Sequence, residues 1–211
     1  MTDVSQLTSP DLSGLQAFLA LCLYTAVTSV TPGPNNMMVL ASGVNFGIRR
    51  TLPHIAGISI GFAAMIVIMG MGLGVIFEAY PMLNTILRWV GGAYLLYLAW
   101  KIAGAAAPEN AERSAARPLG FIGAAAFQWV NPKAWVMALG AVATYLPGSP
   151  SLSSVAAAAL LMAAINAPCV GIWAAFGVGL RRLLTEPAKL RAFNLTMAAL
   201  LVVSLYPIFV T

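Results

Sequence analysis

Two short segments carry residue types that could do chemistry inside otherwise apolar surroundings: Thr31-Pro32-Gly33-Pro34-Asn35-Asn36 and Asn131-Pro132-Lys133. Two prolines around a glycine cannot continue a regular helix, because proline lacks an amide hydrogen and its ring clashes with the carbonyl four residues back. If the preceding turn is helical, Pro32 deprives the Thr28 carbonyl of its usual donor, and Pro34 does the same to Val30. Bare carbonyls in hydrocarbon are costly, so such backbone is tolerated only where it faces protein, water or a ligand. A half-helix starting near Asn35 would present free amide hydrogens and a positive dipole end, which favour a carboxylate. The freed carbonyls suit an ammonium group. Together they predict a receptacle for a zwitterion.

The second segment, Gln128-Trp129-Val130-Asn131-Pro132-Lys133-Ala134-Trp135, adds the only charge at mid-span depth. A lysine at the centre of a spanning helix costs about 2.5 to 3.5 kcal/mol even on a lenient insertion scale, so Lys133 should face a polar cavity. Two roles fit it. It could pair with a substrate carboxylate, or it could release and regain a proton. A third proline interruption, Asn166-Ala167-Pro168, adds a polar residue that could complete the lining.

The elements that must position these residues follow from composition. Of 211 residues, 60% are hydrophobic and 8% are charged, against roughly 25% charged in a soluble domain. Mean hydropathy is +0.87. A water-soluble globule is excluded, and an all-α integral membrane protein is expected if the apolar residues form runs of about 20. They do so six times: Leu15 to Asn45, Ile55 to Phe77, Leu83 to Trp100, Leu119 to Leu146, Leu152 to Leu180 and Ala192 to Val210. The stretch Met1 to Gly14 holds Asp3 and Asp11 and no basic residue, unlike a signal peptide.

Lysine and arginine in short loops are retained on the cytoplasmic side. Arg49 and Arg50, then Lys101, Arg113 and Arg117, then Arg181, Arg182, Lys189 and Arg191 flank alternate spans, whereas Asp3, Asp11 and Glu78 fall on the other face with Arg88 near its edge. Both termini are therefore expected outside. The net charge of +5 is a topology signal that suits anionic lipid, not a nucleic-acid footprint. Residues 1–211 read as one transmembrane domain, with three spans in 15–101, a cytoplasmic linker at 102–118 and three more spans in 119–210. An odd number of spans per half inverts the second half, the geometry of inverted-repeat transporters. Thr31-Pro32 and Asn131-Pro132 interrupt the first span of each half at corresponding depth.

The Thr31–Asn36 segment followed by Gly43, Gly47, Gly57 and Gly61, the run Gly91-Gly92-Ala93-Tyr94-Leu95 with Trp100-Lys101, and Asn131-Pro132-Lys133 resemble the motifs of the lysine exporter and homoserine/threonine efflux family (LysE/RhtB). The resemblance runs from about Ala26 to Arg182. It implies a six-span bacterial inner-membrane exporter of amino acids, driven by the proton motive force. Asn35-Asn36 and Tyr97-Leu98-Ala99-Trp100-Lys101-Ile102-Ala103 look most like the branch that exports cysteine and O-acetylserine. Many members carry an acidic residue inside the second or fifth span. Here every Asp and Glu lies outside the span cores, which shifts proton coupling onto Lys133.

Other features read as structural. The small-xxx-small pairs Gly43/Gly47 and Gly57/Gly61 favour close helix packing, with a homodimer as the lesser use. His54, after Pro53 at the cytoplasmic edge, reads as an inert interfacial residue. Tyr80, Trp89 and Trp100 read as interface anchors. A membrane thiol-disulfide relay would need symmetric cysteines, and Cys22 and Cys169 are not symmetric. A metabolite channel stays open as an alternative. No cofactor, metal or enzyme chemistry is expected, since no carboxylate pair, metal-ligand cluster or phosphate loop is present. The expected arrangement is an exporter of a small neutral amino acid or derivative, working by rocking one half against the other. Its carboxylate would sit on Lys133 and the half-helix after Pro34, and its amine on the carbonyls of Thr28 and Val30 with Asn131.

Overall fold

The computed structural model describes residues 10–73, 80–105, 118–146, 148 and 150–206. Among them the chain is helical and without strands. The helices are α1 (Pro10–Val30), α2 (Pro34–Phe46), α3 (Ile48–Ile68), α4 (Pro81–Ala103), α5 (Phe121–Gln128), α6 (Pro132–Tyr145), α7 (Leu152–Arg181) and α8 (Pro187–Val203), and α3 runs on into a π turn at Met69–Leu73. Helices α2, α4, α6 and α8 all open on a proline. That position tolerates proline, because its missing amide would have no intrahelical acceptor there and its fixed φ already suits a helix. The first and fourth apolar runs are thus each split in two, at residues 31–33 and 129–131.

Several boundaries differ from the sequence expectation. The loop expected to carry Arg49 and Arg50 is a single turn at Gly47, whose φ of 77° is left-handed, and both arginines fall in the first turn of α3. Gly47 is needed there because an L side chain rarely adopts that conformation. The interruption expected at Asn166-Ala167-Pro168 is no break, since α7 continues through Pro168. Most of the linker expected at 102–118, together with Asp3 and Glu78, lies outside the described residues.

By length and composition, Ile48–Gly72 and Leu152–Arg181 are each able to cross a membrane, and Gly14–Val30 with Pro34–Phe46, bent by 57°, adds a third candidate if the pair is one span. Burial is arranged as a bilayer demands. Large apolar side chains such as Leu23, Ile122, Val136 and Leu160 point outward, while Asn36, Gln128, Asn131, Asn166 and Asn194 are buried. Polar side chains inside a membrane bundle are expensive unless they face its interior.

The most extensive helix pairs join the N-terminal and C-terminal halves: α2 and α3 lie against α7, α3 against α5, and α4 against α8. One core cluster forms around Phe62, Met65, Ile66, Met137 and Met162, and another around Met38, Leu95, Phe127 and Leu201. Glycine makes the close approaches possible. A Cβ on Gly43 would strike the backbone of Ala174, and one on Gly57 the Phe121 carbonyl. These small residues are therefore used within the chain, seating α2 on α7 and α3 on α5.

Candidate functional site

At the first break, α1 ends at Val30 and its freed carbonyls are taken up one by one. Thr31 Oγ1 donates to the Thr28 carbonyl at 2.8 Å, and Trp173 Nε1 on α7 donates to the Val30 carbonyl at 3.1 Å. Asn36 Nδ2 donates to the carbonyls of Ser29 and Thr31 at 2.9 and 2.7 Å. The carbonyls of Thr28 and Val30, expected to hold an amine, thus each accept one hydrogen bond from within the protein. Helix α2 begins without a side-chain cap, so the amides of Asn35 and Asn36 have no intrahelical acceptor.

The second break is closed differently. Asn131, expected to help hold an amine, has an extended backbone, and its side chain accepts from the Lys133 amide at 3.2 Å and so caps α6. Lys133, one residue into that helix, is half-buried and crosses to the first break. Its Nζ donates to the Thr31 carbonyl at 2.6 Å and to Thr31 Oγ1 at 2.9 Å, with the Pro32 carbonyl at 3.4 Å. Gly33 has φ 179°, a conformation any residue adopts. It is small because Lys133 lies against it: a Cβ there would stand 2.7 Å from Lys133 Cδ. A second bridge joins the breaks where Asn35 Nδ2 donates to Gln128 Oε1 at 2.8 Å and Gln128 Nε2 returns a bond to Asn35 Oδ1 at 3.2 Å.

Asn166 reaches the same place from α7. It donates to Ser29 Oγ and accepts from Ser59 Oγ, both at 3.0 Å. Gly33, Asn35, Asn36, Asn131, Lys133 and Asn166 all line one small cavity of about 20 Å³, room for about one water. Pro32, Gly33, Pro34, Pro132 and Lys133 also border a much larger open cleft of about 790 Å³ that includes Arg88. Lys133 therefore lines both the small cavity and the large cleft. Thr31 does its part through its carbonyl and hydroxyl.

Gln128, Ser29, Ser59 and Trp173 contribute here without having been singled out. Gln128 had a usable signal, an amide in the last turn before a break. Trp173 had none, because nothing in its local pattern points toward Val30.

The LysE type translocator family model matches residues 26–204. The chain belongs to the LysE type translocator family. It is a transporter and not an enzyme, and it is a multi-pass bacterial inner-membrane protein. Among its relatives, the cysteine/O-acetylserine efflux protein of Escherichia coli (strain K12) is 34% identical over 187 residues, covering 87% of this chain and 92% of that protein. The cysteine/O-acetylserine efflux protein of Salmonella typhimurium is 36% identical over 188 residues, with 87% and 92% covered. No solved structure matches the chain.

Proposed function

We propose that this translocator exports a small neutral amino acid or derivative of the cysteine/O-acetylserine class, coupled to protons, by alternating access at the two breaks. The observation that carries the proposal is the Lys133 ammonium seated on the Thr31 and Pro32 oxygens. An ammonium already occupies the acceptors that a substrate amine would use. In the loaded state the substrate amine replaces it on those oxygens, while the substrate carboxylate pairs with the displaced Lys133 and the free amides at the start of α2. Asn35, Asn36, Asn131 and Asn166 hold the walls of the site, and Pro32, Pro34 and Pro132 set its backbone. The proton is carried by Lys133 in this scheme, neutral in one phase of the cycle and charged in the other.

The membrane topology belongs to the same proposal: six spans in two inverted halves, 15–101 and 119–210, both termini outside. Because the halves interleave, with α2 and α3 seated on α7, the movement is assigned to the bends at residues 31–33 and 129–131 instead of to whole halves rocking. Breaking the Lys133–Thr31 contact would widen the small cavity toward the large cleft, since Lys133 lines both.

Proteoliposomes loaded with a panel of amino acids, cysteine and O-acetylserine among them, test the proposal with and without an uncoupler. A coupled exporter moves its substrate against a gradient and loses that ability when the uncoupler is added. Downhill flux indifferent to the uncoupler would instead identify a channel.

A further inference from the structure

Among the described residues, the two ring nitrogens of His54 are the only buried side-chain nitrogen or oxygen atoms without a hydrogen-bond partner. His54 is 2% exposed. It sits on α3 at the end of the molecule that carries Lys101, where the sequence suggested an inert interfacial histidine. A neutral imidazole offers one donor and one acceptor, and burying both bare is costly. Asn45, on the same pocket, shows the contrast: it exchanges amide bonds of 2.8 and 3.2 Å with Asn194. His54 stands out as a group held ready for something else.

It lines a pocket of about 60 Å³ with Ser42, Asn45 and Lys101, and with Met38 and Leu98 among the apolar walls. The cavity at the breaks holds about 20 Å³. At roughly 10–15 Å³ for each water-sized group, the pocket accommodates several heavy atoms where the break cavity accommodates about one. The two are connected by one helix. Asn35, Met38, Ser42 and Asn45 recur at spacings of three and four and so share a face of α2, the first lining the break cavity and the others this pocket. At 1.5 Å per residue that face spans about 15 Å.

We propose that this pocket is an entry subsite that receives the amino acid before it reaches the breaks, with Lys101 taking its carboxylate and the His54 ring, whose nitrogens are covered in the empty pocket, turning to hydrogen-bond its polar side chain. The ligand class is a small zwitterion whose side chain ends in a thiol, hydroxyl or short ester. This rests on the export reading but reaches a different place in the chain, so the two can fail separately.

His54 is the only histidine in the sequence, which gives the test a single signal. Protein labelled with ¹⁵N-histidine in lipid nanodiscs is titrated with cysteine under reductant, with O-acetylserine, and with alanine, whose side chain offers no polar group. The ring nitrogen resonances should move with cysteine or O-acetylserine and stay with alanine. In efflux assays H54F should raise the half-saturating internal concentration about three- to tenfold with little change in maximal rate, the range for one or two neutral hydrogen bonds, and H54Q should restore most of it. Ring resonances unmoved by both cysteine and O-acetylserine at saturating concentration would overturn the subsite, whatever the variants do. A wild type that exports neither compound while its ring still responds would overturn the export reading and the pocket's part in entry, and leave a binding pocket for the amino acid.

Discussion

The two helix breaks share a proline at the first position of the following helix, yet they satisfy their backbones in opposite ways. The first borrows: Trp173 comes from α7 and Lys133 from α6, and only Thr31 and Asn36 are local donors. The second is self-contained, with Asn131 capping the helix that its own segment begins. The first break is therefore a cluster of acceptors waiting on donors from elsewhere, and the second supplies the cation that answers it. They are complementary partners, a cluster of acceptors on one side and the cation bonded to it on the other.

That contrast can be broken by substitution. Asn36→Leu removes the donor to two carbonyls and leaves that of Ser29 bare in a buried setting, so it should cost about 2–3 kcal/mol of stability, read as thermal unfolding in detergent. Asn131→Ala removes one helix cap and should cost about 1 kcal/mol. If the second substitution costs more than the first, the breaks are not satisfied in the way described. Gly33→Ala should change stability by less than about 0.5 kcal/mol, the range for substitutions that strain no backbone, because φ 179° suits alanine and the group it meets is the flexible Lys133 chain. Efflux should nevertheless fall, since Lys133 must give way. Wild-type efflux from Gly33→Ala would show that the close seat of Lys133 is incidental.

How much of this the sequence carried depends on the range of each effect. The breaks were legible because proline acts on its own turn, and Lys133 was legible because a lone charge among apolar residues is visible without coordinates. The partners were not. Whether Gln128 meets Asn35 or Trp173 meets Val30 depends on how distant helices are rotated about their axes, and the amide of Asn131 could serve a ligand or its own helix equally well by type. Pro168 showed the limit of the proline rule, because α7, packed against α1, α2 and α3, runs through it. His54 was misplaced for a different reason. Arg49, Arg50 and Pro53 suggested a wet loop, but α3 starts directly after Gly47, and position 54 then falls in register with Ile58 and Phe62 on the buried face. That helical period was present in the sequence and outweighed the neighbouring charges.

The contact between Lys133 and the first break is the feature on which transport is taken to depend, and Lys133→Met in proteoliposomes with an imposed proton gradient tests it most directly. Thr31 keeps its bond from Asn36 in that variant, so the protein should fold, insert and melt close to the wild type. Efflux of the amino acid that the wild type exports should fall to the level of empty liposomes. Undiminished efflux that still responds to the gradient would contradict the role of Lys133 and, with it, the site at the two breaks.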